Sequence, residues 1–96
     1  MNDINILDFL NLDKKEIQVI DVREEYEFED GHIKSINIPM DQIFESLNKI
    51  KKNKKVIIYC NSGRRGAAVV HILRKKFQFN NIYNLEGGFQ KYLESK

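Results

Sequence analysis

Two kinds of hydrophobic pattern alternate along this chain. In the first, β-branched and other apolar residues follow one another in short runs, which is typical of β-strands. The sequence predicts four such strands, at residues 17–22, 36–38, 56–59 and 82–85. The run at 56–59 is the most apolar of the four, as expected for a parallel strand that is buried on both faces.

In the second kind of pattern, apolar residues recur every three or four positions, which is typical of helices that bury one face. This pattern predicts helices at residues 6–12, at 23–30, after Asp41, at 67–77 and after the Gly87-Gly88 pair. Gly31 ends the second of these helices, and Asp41 is expected to cap the third. Strands and helices in alternation indicate an α/β layer fold with a mainly parallel sheet.

Two of the predicted helices carry enough apolar surface for their packing to be predicted. Apolar residues cover more than half of the helix at 67–77, so we expect it to pack against the sheet. The residues that form this surface are Val69, Val70, Ile72, Leu73 and Phe77. His71 lies in the same helix and is expected to be half-buried. In the last helix, Phe89, Tyr92 and Leu93 are expected to face inward.

The composition narrows the class of protein. A length of 96 residues, 42% of them hydrophobic, suits one domain over residues 1–96 with a packed core. A single cysteine excludes an internal disulfide, and we find no leader peptide or membrane-spanning run, so we expect a cytoplasmic protein that does not bind a membrane. The balance of 16 Lys+Arg against 14 Asp+Glu does not indicate a nucleic-acid partner.

The only cysteine of the chain lies where the most apolar strand ends. A loop that contains glycine and arginine follows Cys60 and leads into the helix predicted at 67–77. A loop of this kind turns several backbone N–H groups toward one point, and these groups, with the positive end of the helix, favour an anion. A thiolate is such an anion and is the reactive form of cysteine.

The residues that follow Cys60 suit an anion site. The Asn61-Ser62 pair tolerates a turn, and Gly63 leaves room where the backbone must curl. Arg65 offers a fork of donors suited to a tetrahedral oxyanion such as thiosulfate, sulfite or phosphate, and Arg64 either does the same or faces water. The alternative is an inert, buried cysteine, which gives no reason for this loop. We therefore predict that Cys60 is reactive.

Four short motifs stand in order along the chain. They are Val19-Ile20-Asp21-Val22-Arg23-Glu24 with Tyr26, Gly31-His32-Ile33 with Asn37-Ile38-Pro39, Cys60-Asn61-Ser62-Gly63-Arg64-Arg65, and Leu85-Glu86-Gly87-Gly88. In this order they resemble the motifs of the rhodanese family of sulfurtransferases, and of its small single-domain members in particular, with Tyr92 where a tryptophan is common. The resemblance covers nearly the whole chain. It implies a three-layer α/β/α fold around a mainly parallel central sheet.

The resemblance also implies a mechanism. Cys60 would attack the outer sulfur of a donor such as thiosulfate and become a persulfide, and a thiol or cyanide would then remove that sulfur. The loop from Asn61 to Gly66 would bind the substrate, with Arg65 orienting the oxyanion of the donor. Because there is no second cysteine, the sulfur must leave to an external acceptor, which can be a protein. No cofactor or metal is expected.

Two positions depart from the family pattern. Gly66 stands where the family often has serine or threonine, so a hydroxyl that would cap the helix and donate to the sulfur is absent. The segment Lys34-Ser35-Ile36 is one residue shorter than usual, which affects the local loop geometry and not the reaction.

Other polar residues have plainer interpretations. Asp21 and Arg23 lie at the same edge as Cys60, and Asp21 either pairs with a loop arginine or amide or forms an ordinary salt bridge at the helix start. The acidic run after Arg23 is expected to be a solvated helix face, and His32 a structural residue. The spacing of Cys60, His32 and His71 matches no zinc site.

Two functions compete with sulfur transfer by a free-standing enzyme. Phosphatases of the related fold need one more residue between cysteine and arginine than the four that separate Cys60 from Arg65, so no release of phosphate from an aryl phosphate is expected. The other candidate is a persulfide carrier or interaction module in a sulfur relay, such as tRNA thiolation or cofactor assembly. The presence of Cys60 argues against an inactive domain but does not separate an enzyme from a carrier.

Overall fold

A five-stranded sheet forms the centre of the protein, for which the computed structural model describes residues 2–95. The strands are β1 (Asp3–Ile4), β2 (Ile17–Asp21), β3 (Ile36–Asn37), β4 (Lys55–Tyr59) and β5 (Ile82–Leu85). Their spatial order is β1-β5-β4-β2-β3, and every pairing between them is parallel. The predicted α/β fold with a mainly parallel sheet is therefore confirmed.

Four α-helices connect or follow the strands. They are α1 (Ile6–Leu10), α2 (Glu25–Asp30), α3 (Arg64–Phe77) and α4 (Gly88–Glu94). Three short 3-10 helices complete the described elements, at Lys14–Glu16, Ile43–Glu45 and Leu47–Lys49.

The sheet separates two apolar cores, which makes the molecule three layers deep. Side chains alternate along a strand, so Val56 and Ile58 of β4 belong to the core under α3, and Ile57 and Tyr59 belong to the opposite core. The second core also contains buried residues of α1 and is covered by partly buried aromatic residues of α4. Cys60 continues the alternation of β4 and lies on the α3 side. This position brings the thiol next to the start of α3.

Two predictions about the elements are wrong. The segment directly after Asp41 forms the two 3-10 helices at Ile43–Glu45 and Leu47–Lys49 in place of an α-helix. Asp41 is exposed, and Gln42 is the residue before the first of these helices, so Asp41 is not its cap. Ser46, between them, has φ −126° and ψ 30°, a backbone conformation that does not continue a helix. Ile43 and Ile50, two of the apolar residues that predicted the helix, are both buried, but from two separate turns.

Smaller differences concern helix ends and faces. The prediction contained no strand at β1, and α3 begins three residues before the predicted start. His71 is exposed rather than half-buried, Phe77 is 40% exposed and Leu93 is 50% exposed. The last two residues lie within a turn of a helix end, and the exposed ring of Phe77 stacks on Phe44 with ring centroids 5.9 Å apart.

Candidate active site

Cys60 lies at the carboxyl end of the central strand β4, immediately before a tight loop. Gly63 closes this loop with φ 100°, a left-handed conformation that favours glycine, and α3 begins at the next residue. A side chain at Gly63 would also press on the backbone nitrogen of Gly87, 3.2 Å from the site of its Cβ. The sequence therefore needs glycine here for two separate reasons.

Two backbone amides donate hydrogen bonds to the sulfur of Cys60. The N–H of Gly63 lies 3.1 Å from Sγ, and the N–H of Gly66, in the first turn of α3, lies 3.2 Å from it. Cys60 as a whole is buried. An atom that accepts two amide donors beside the positive end of a helix is stabilised when it carries negative charge. The arrangement suits a thiolate or a persulfide anion at this position.

The start of α4 holds the loop from the other side. The carbonyl of Cys60 accepts a hydrogen bond from the N–H of Phe89 at 2.8 Å, and the carbonyl of Asn61 accepts one from the N–H of Gln90 at 3.0 Å. Gly88, with φ 61°, passes so close that a Cβ there would collide with the carbonyl oxygen of Cys60. The glycine pair is thus a turn into the last helix, as predicted, and it also supports the reactive loop.

Asp21 and Arg23 form a buried ion pair behind the loop. Arg23 Nη2 lies 2.7 Å from Asp21 Oδ2, and the backbone N–H of Arg23 donates to Oδ1 at 2.8 Å. Burial by itself lowers the pKa of Arg23, but the hydrogen bonds and charge of Asp21 outweigh it and raise that pKa above its ordinary value. Of the two interpretations left open by the sequence, the salt bridge at the helix start is the one observed, since Asp21 pairs with Arg23.

Arg23 also links the ion pair to the surroundings of the site. Its Nη2 donates to the carbonyl of Gly31 at 2.7 Å, and its guanidinium lies 4.5 Å from the ring centroid of Phe89. Phe89 is the residue whose N–H holds the carbonyl of Cys60. The pair therefore fixes α4 against the end of β2, which is a structural contribution to the loop.

Arg65 is engaged by a carboxylate that the sequence analysis did not assign to the site. Its Nη1 lies 2.9 Å from Glu27 Oε1, and its Nη2 lies 3.1 Å from Glu27 Oε2. The hydrogen bonding that Arg65 donates to Glu27 is the largest cause that raises the pKa of Arg65, and the same interaction is the largest cause that lowers the pKa of Glu27. Arg65 is thus not held open for a donor oxyanion in this structure.

The acidic run predicted to be a solvated face therefore contributes one residue to the site. Glu27 points across from α2, and its Oε1 also accepts the backbone N–H of Glu24 at 3.0 Å. That second contact is the kind made by the third residue of a helix start, for which Glu24-x-x-Glu27 is a sequence signal. The signal marks the helix start but does not reveal Arg65, which is 38 positions away.

The remaining loop residues have different surroundings. Asn61 is half-buried and lines a cavity, Ser62 is exposed, and Arg64 is exposed at the first position of α3. Gly66 is buried, and a Cβ on it would collide with Oδ1 of Asn84. The space that a serine or threonine side chain would need at this position is therefore occupied by a residue of β5.

Asn84 is a second residue that the sequence analysis did not single out. Its Nδ2 donates to the carbonyl of Gly63 and to Oδ1 of Asp3, both at 3.3 Å. Its Oδ1 is buried and lacks a hydrogen-bond partner within the described residues. Asn84 ties the loop to the neighbouring strands β5 and β1, and a polar residue in an otherwise apolar strand was the signal available for it.

A cavity of about 380 Å³ opens beside the loop. Its lining combines carboxylates with apolar side chains and includes Tyr26, Glu27, Asp30, Asn61, Phe89 and Leu93. Asn61 is the loop residue that lines it, whereas the neighbouring Cys60 is buried and does not.

The histidines do not join this site, and no metal-binding cluster accompanies it. His32 stacks on Phe28 with ring centroids 3.7 Å apart, and its Nδ1 lies 2.7 Å from the carbonyl of Phe28. Between residues 2 and 95, no group of three or more His, Cys, Asp or Glu side chains is placed to hold a metal ion. The same part of the chain contains no helix with the length and apolarity needed to cross a membrane.

Comparison with known proteins gives consistent matches. The family model of the rhodanese-like domain matches residues 10–95. The crystal structure of a rhodanese-related protein from Thermoplasma volcanium has a TM-score of 0.88 and 35% identity to this chain, with 99% of this chain and 93% of that one covered. The fold is therefore shared with a solved rhodanese-related protein.

Three curated relatives are longer proteins. The Bacillus subtilis protein YqhL, named as uncharacterized, is 43% identical over 79 residues, which cover 81% of this chain and 62% of that protein. The adenylyltransferase and sulfurtransferase UBA4 of Vanderwaltozyma polyspora is 28% identical over 93% of this chain and 23% of its own length. The tRNA uridine(34) hydroxylase of Rickettsia canadensis is 33% identical over 84% of this chain and 35% of its own. The chain spans less than two thirds of each.

Proposed function

Because the chain belongs to the rhodanese-like domain family, we propose that it is a sulfurtransferase that carries a sulfane sulfur as a persulfide on Cys60. The observation that carries this proposal is the pair of amide donors, from Gly63 and Gly66, at 3.1 and 3.2 Å from the sulfur of Cys60. They stabilise the thiolate that attacks the donor and that forms again when the sulfur leaves. A relative named as a sulfurtransferase supports the same assignment.

The reaction divides into two displacements at sulfur. The thiolate of Cys60 attacks the outer sulfur of thiosulfate, the sulfur–sulfur bond of the donor breaks, and sulfite leaves with the electron pair. A thiol or cyanide then attacks the outer sulfur of the persulfide, and Cys60 regains its thiolate. Each step exchanges one bond to sulfur for another, so no external oxidant or reductant is consumed.

The rigid surroundings of Cys60 keep the sulfur in one position during both steps. Its carbonyl is held by Phe89, and the loop carbonyl of Gly63 is held by Asn84. Donors that are already oriented toward a developing negative charge need no reorganisation when that charge appears. The loop therefore acts as a preformed anion site for the thiolate of Cys60.

Intact-mass spectrometry tests this proposal directly. Incubation with a sulfane-sulfur donor is expected to add one sulfur, about 32 Da, and Cys60→Ser is expected to abolish the addition. Ala68→Ser is the control, because Ala68 lies exposed on α3, outside the loop. A mass that does not change with any donor, or that increases equally in the Cys60→Ser variant, would contradict the proposal.

A persulfide carrier for a protein acceptor is the second candidate function. Two relatives favour this candidate, one named as an adenylyltransferase and sulfurtransferase and the other as a tRNA uridine(34) hydroxylase. In each of them, the region that matches this chain is a minor part of a longer protein. Repeated turnover with a small thiol or cyanide supports the free-standing enzyme. Loading without turnover, followed by release only to a protein, supports the carrier.

A further inference from the structure

The contact between Glu27 and Arg65 points to the class of sulfur donor. We propose that Glu27 selects the donor, disfavouring oxyanions such as thiosulfate and so directing the site to organic persulfides. This inference rests on the proposed sulfur transfer at Cys60. It concerns a choice that the family assignment leaves open.

The first support is the geometry of the ion pair. An arginine binds a tetrahedral oxyanion best with two parallel N–H donors, and in Arg65 one donor from each terminal nitrogen is directed to Glu27, at 2.9 and 3.1 Å. The Glu27 side chain is 20% exposed, so the pair is partly shielded from water. An oxyanion that uses these donors must first displace a carboxylate held on the same polypeptide.

The second support is the charge around the cavity beside the loop. Glu27 and Asp30 both line it, and Arg23, the only cation among residues 2–95 that lines it, is already paired with the buried Asp21. Arg64 is the loop cation that has no carboxylate partner among residues 2–95, and it is exposed to solvent, where a charge attracts an anion only weakly. Because Glu27 is paired with Arg65, Asp30 is the lining carboxylate that has no ion-pair partner among residues 2–95, and a dianion approaching through this cavity meets its negative charge.

The third support is the apolar part of the same cavity. Tyr26, Phe89 and Leu93 line it, and Tyr26 and Leu93 are 71% and 50% exposed. Thiosulfate has no apolar surface to place against these side chains. The organic group of a persulfide has such a surface, so burying it there favours binding of this class of donor.

The transfer from an organic persulfide is balanced without any added reagent. The thiolate of Cys60 attacks the outer sulfur of R–S–S⁻, the bond between the two donor sulfurs breaks, and R–S⁻ leaves with the electron pair. The leaving group carries one negative charge, whereas sulfite carries two. The reaction therefore does not need a free guanidinium to stabilise the leaving group.

Single-turnover loading of Cys60, followed by intact mass, tests the role of Glu27. The probes are thiosulfate and 2-hydroxyethyl persulfide, each varied in concentration to separate the half-saturating concentration from the maximal rate. In wild type we expect faster loading from the persulfide. In Glu27→Gln we expect the second-order rate constant for thiosulfate to rise roughly five- to tenfold, mainly through a lower half-saturating concentration. The constant for the persulfide should change less than about twofold.

Two further variants separate charge from structure. Glu27→Asp keeps the negative charge at this position and is expected to keep the preference for the persulfide. Glu29→Gln removes an exposed carboxylate from the same helix and is expected to leave both constants unchanged. Glutamine at position 27 can still accept the N–H of Glu24, so α2 should form in Glu27→Gln, and thermal unfolding checks this.

The outcomes are distinguishable. If neither donor loads wild-type Cys60, the proposed function fails and the choice of donor with it. If wild type loads but Glu27→Gln alters both donors by the same factor, or lowers the rate with thiosulfate, Glu27 has only a structural role and this inference is overturned. A selective gain with thiosulfate in Glu27→Gln, absent in Glu29→Gln, supports it.

Discussion

Gly66 shows how a single residue is constrained by a partner that lies far away in the sequence. A Cβ at this position would collide with Oδ1 of Asn84, which is buried and has no hydrogen-bond partner in the described part of the chain. The N–H of Gly66 at the same time donates to the sulfur of Cys60. A side chain at position 66 would therefore disturb both the loop and β5.

We predict that Gly66→Ala destabilises the protein by about 1–3 kcal/mol, the usual cost of forcing extra volume into a packed site. Urea unfolding in a double-mutant cycle with Asn84→Ala measures it. The cost of Gly66→Ala should be smaller when Asn84 has already been shortened, since the collision is then removed. Equal costs in the two backgrounds would mean that Asn84 is not the cause.

Glu27 and Arg65 are a second pair that acts at the residue scale. The pair joins α2 to the first turn of α3, beside the sulfur of Cys60. The sequence analysis predicted that Glu27 lies on a solvated helix face and that Arg65 orients the oxyanion of the donor. In the structure, Arg65 donates hydrogen bonds to both carboxylate oxygens of Glu27. Glu27 and an oxyanion donor therefore compete for the same N–H groups of Arg65.

At the scale of elements, Tyr59 connects the end of β4 to the segment before β3. The N–H of buried Ile33 donates to Tyr59 Oη at 3.1 Å, and Ser35 Oγ lies 3.1 Å from the same oxygen. Burial is the largest cause that raises the pKa of Tyr59, to about 12. The hydroxyl of Tyr59 therefore anchors the segment that contains Ile33 and Ser35.

We predict that Tyr59→Phe costs about 1–3 kcal/mol of the free energy of unfolding, because the buried N–H of Ile33 loses its acceptor. Tyr26→Phe is the matched control, since Tyr26 is 71% exposed, and it should change stability by less than about 0.5 kcal/mol. Chemical denaturation of both variants gives the comparison. A loss of similar size in both would argue against the hydrogen bond as the cause.

At the scale of the whole molecule, β1 completes the sheet from outside the region matched by the family model. That match begins at residue 10, whereas β1 comprises Asp3–Ile4 and pairs with β5. Asp3 lies opposite Asn84 in this pairing and accepts a hydrogen bond from it. The edge strand is therefore connected through Asn84 to the loop that holds Cys60.

We predict that Ile4→Ala costs about 2–5 kcal/mol, as expected for the loss of a buried isoleucine from a core. Ile4 is 8% exposed and belongs to the core on the side of α1. Leu7→Ala removes a residue that is 72% exposed and should cost less than about 0.5 kcal/mol. Thermal or urea unfolding distinguishes the two. A negligible effect of Ile4→Ala would mean that β1 does not contribute to the fold.

The fold was predictable because its signals are local and repeated. Strands β2, β4 and β5 coincide with runs of apolar residues, and α3 coincides with apolar residues spaced three to four positions apart. A short window of sequence therefore contains the information for each of these elements. The prediction of a helix after Asp41 was wrong because a local pattern of apolar residues does not distinguish one α-helix from two separate turns that bury the same residues. β1 is only two residues long, too short to produce a pattern.

The sequence by itself determined the α/β architecture, the position of Cys60 at a strand end and the glycines around it, since these depend on neighbours in the chain. Only the tertiary structure decided that Arg65 pairs with Glu27, 38 positions away, and that Asn84 holds the loop from 21 positions away. Contacts between side chains on different elements depend on how those elements pack, and no local pattern encodes the distance between them.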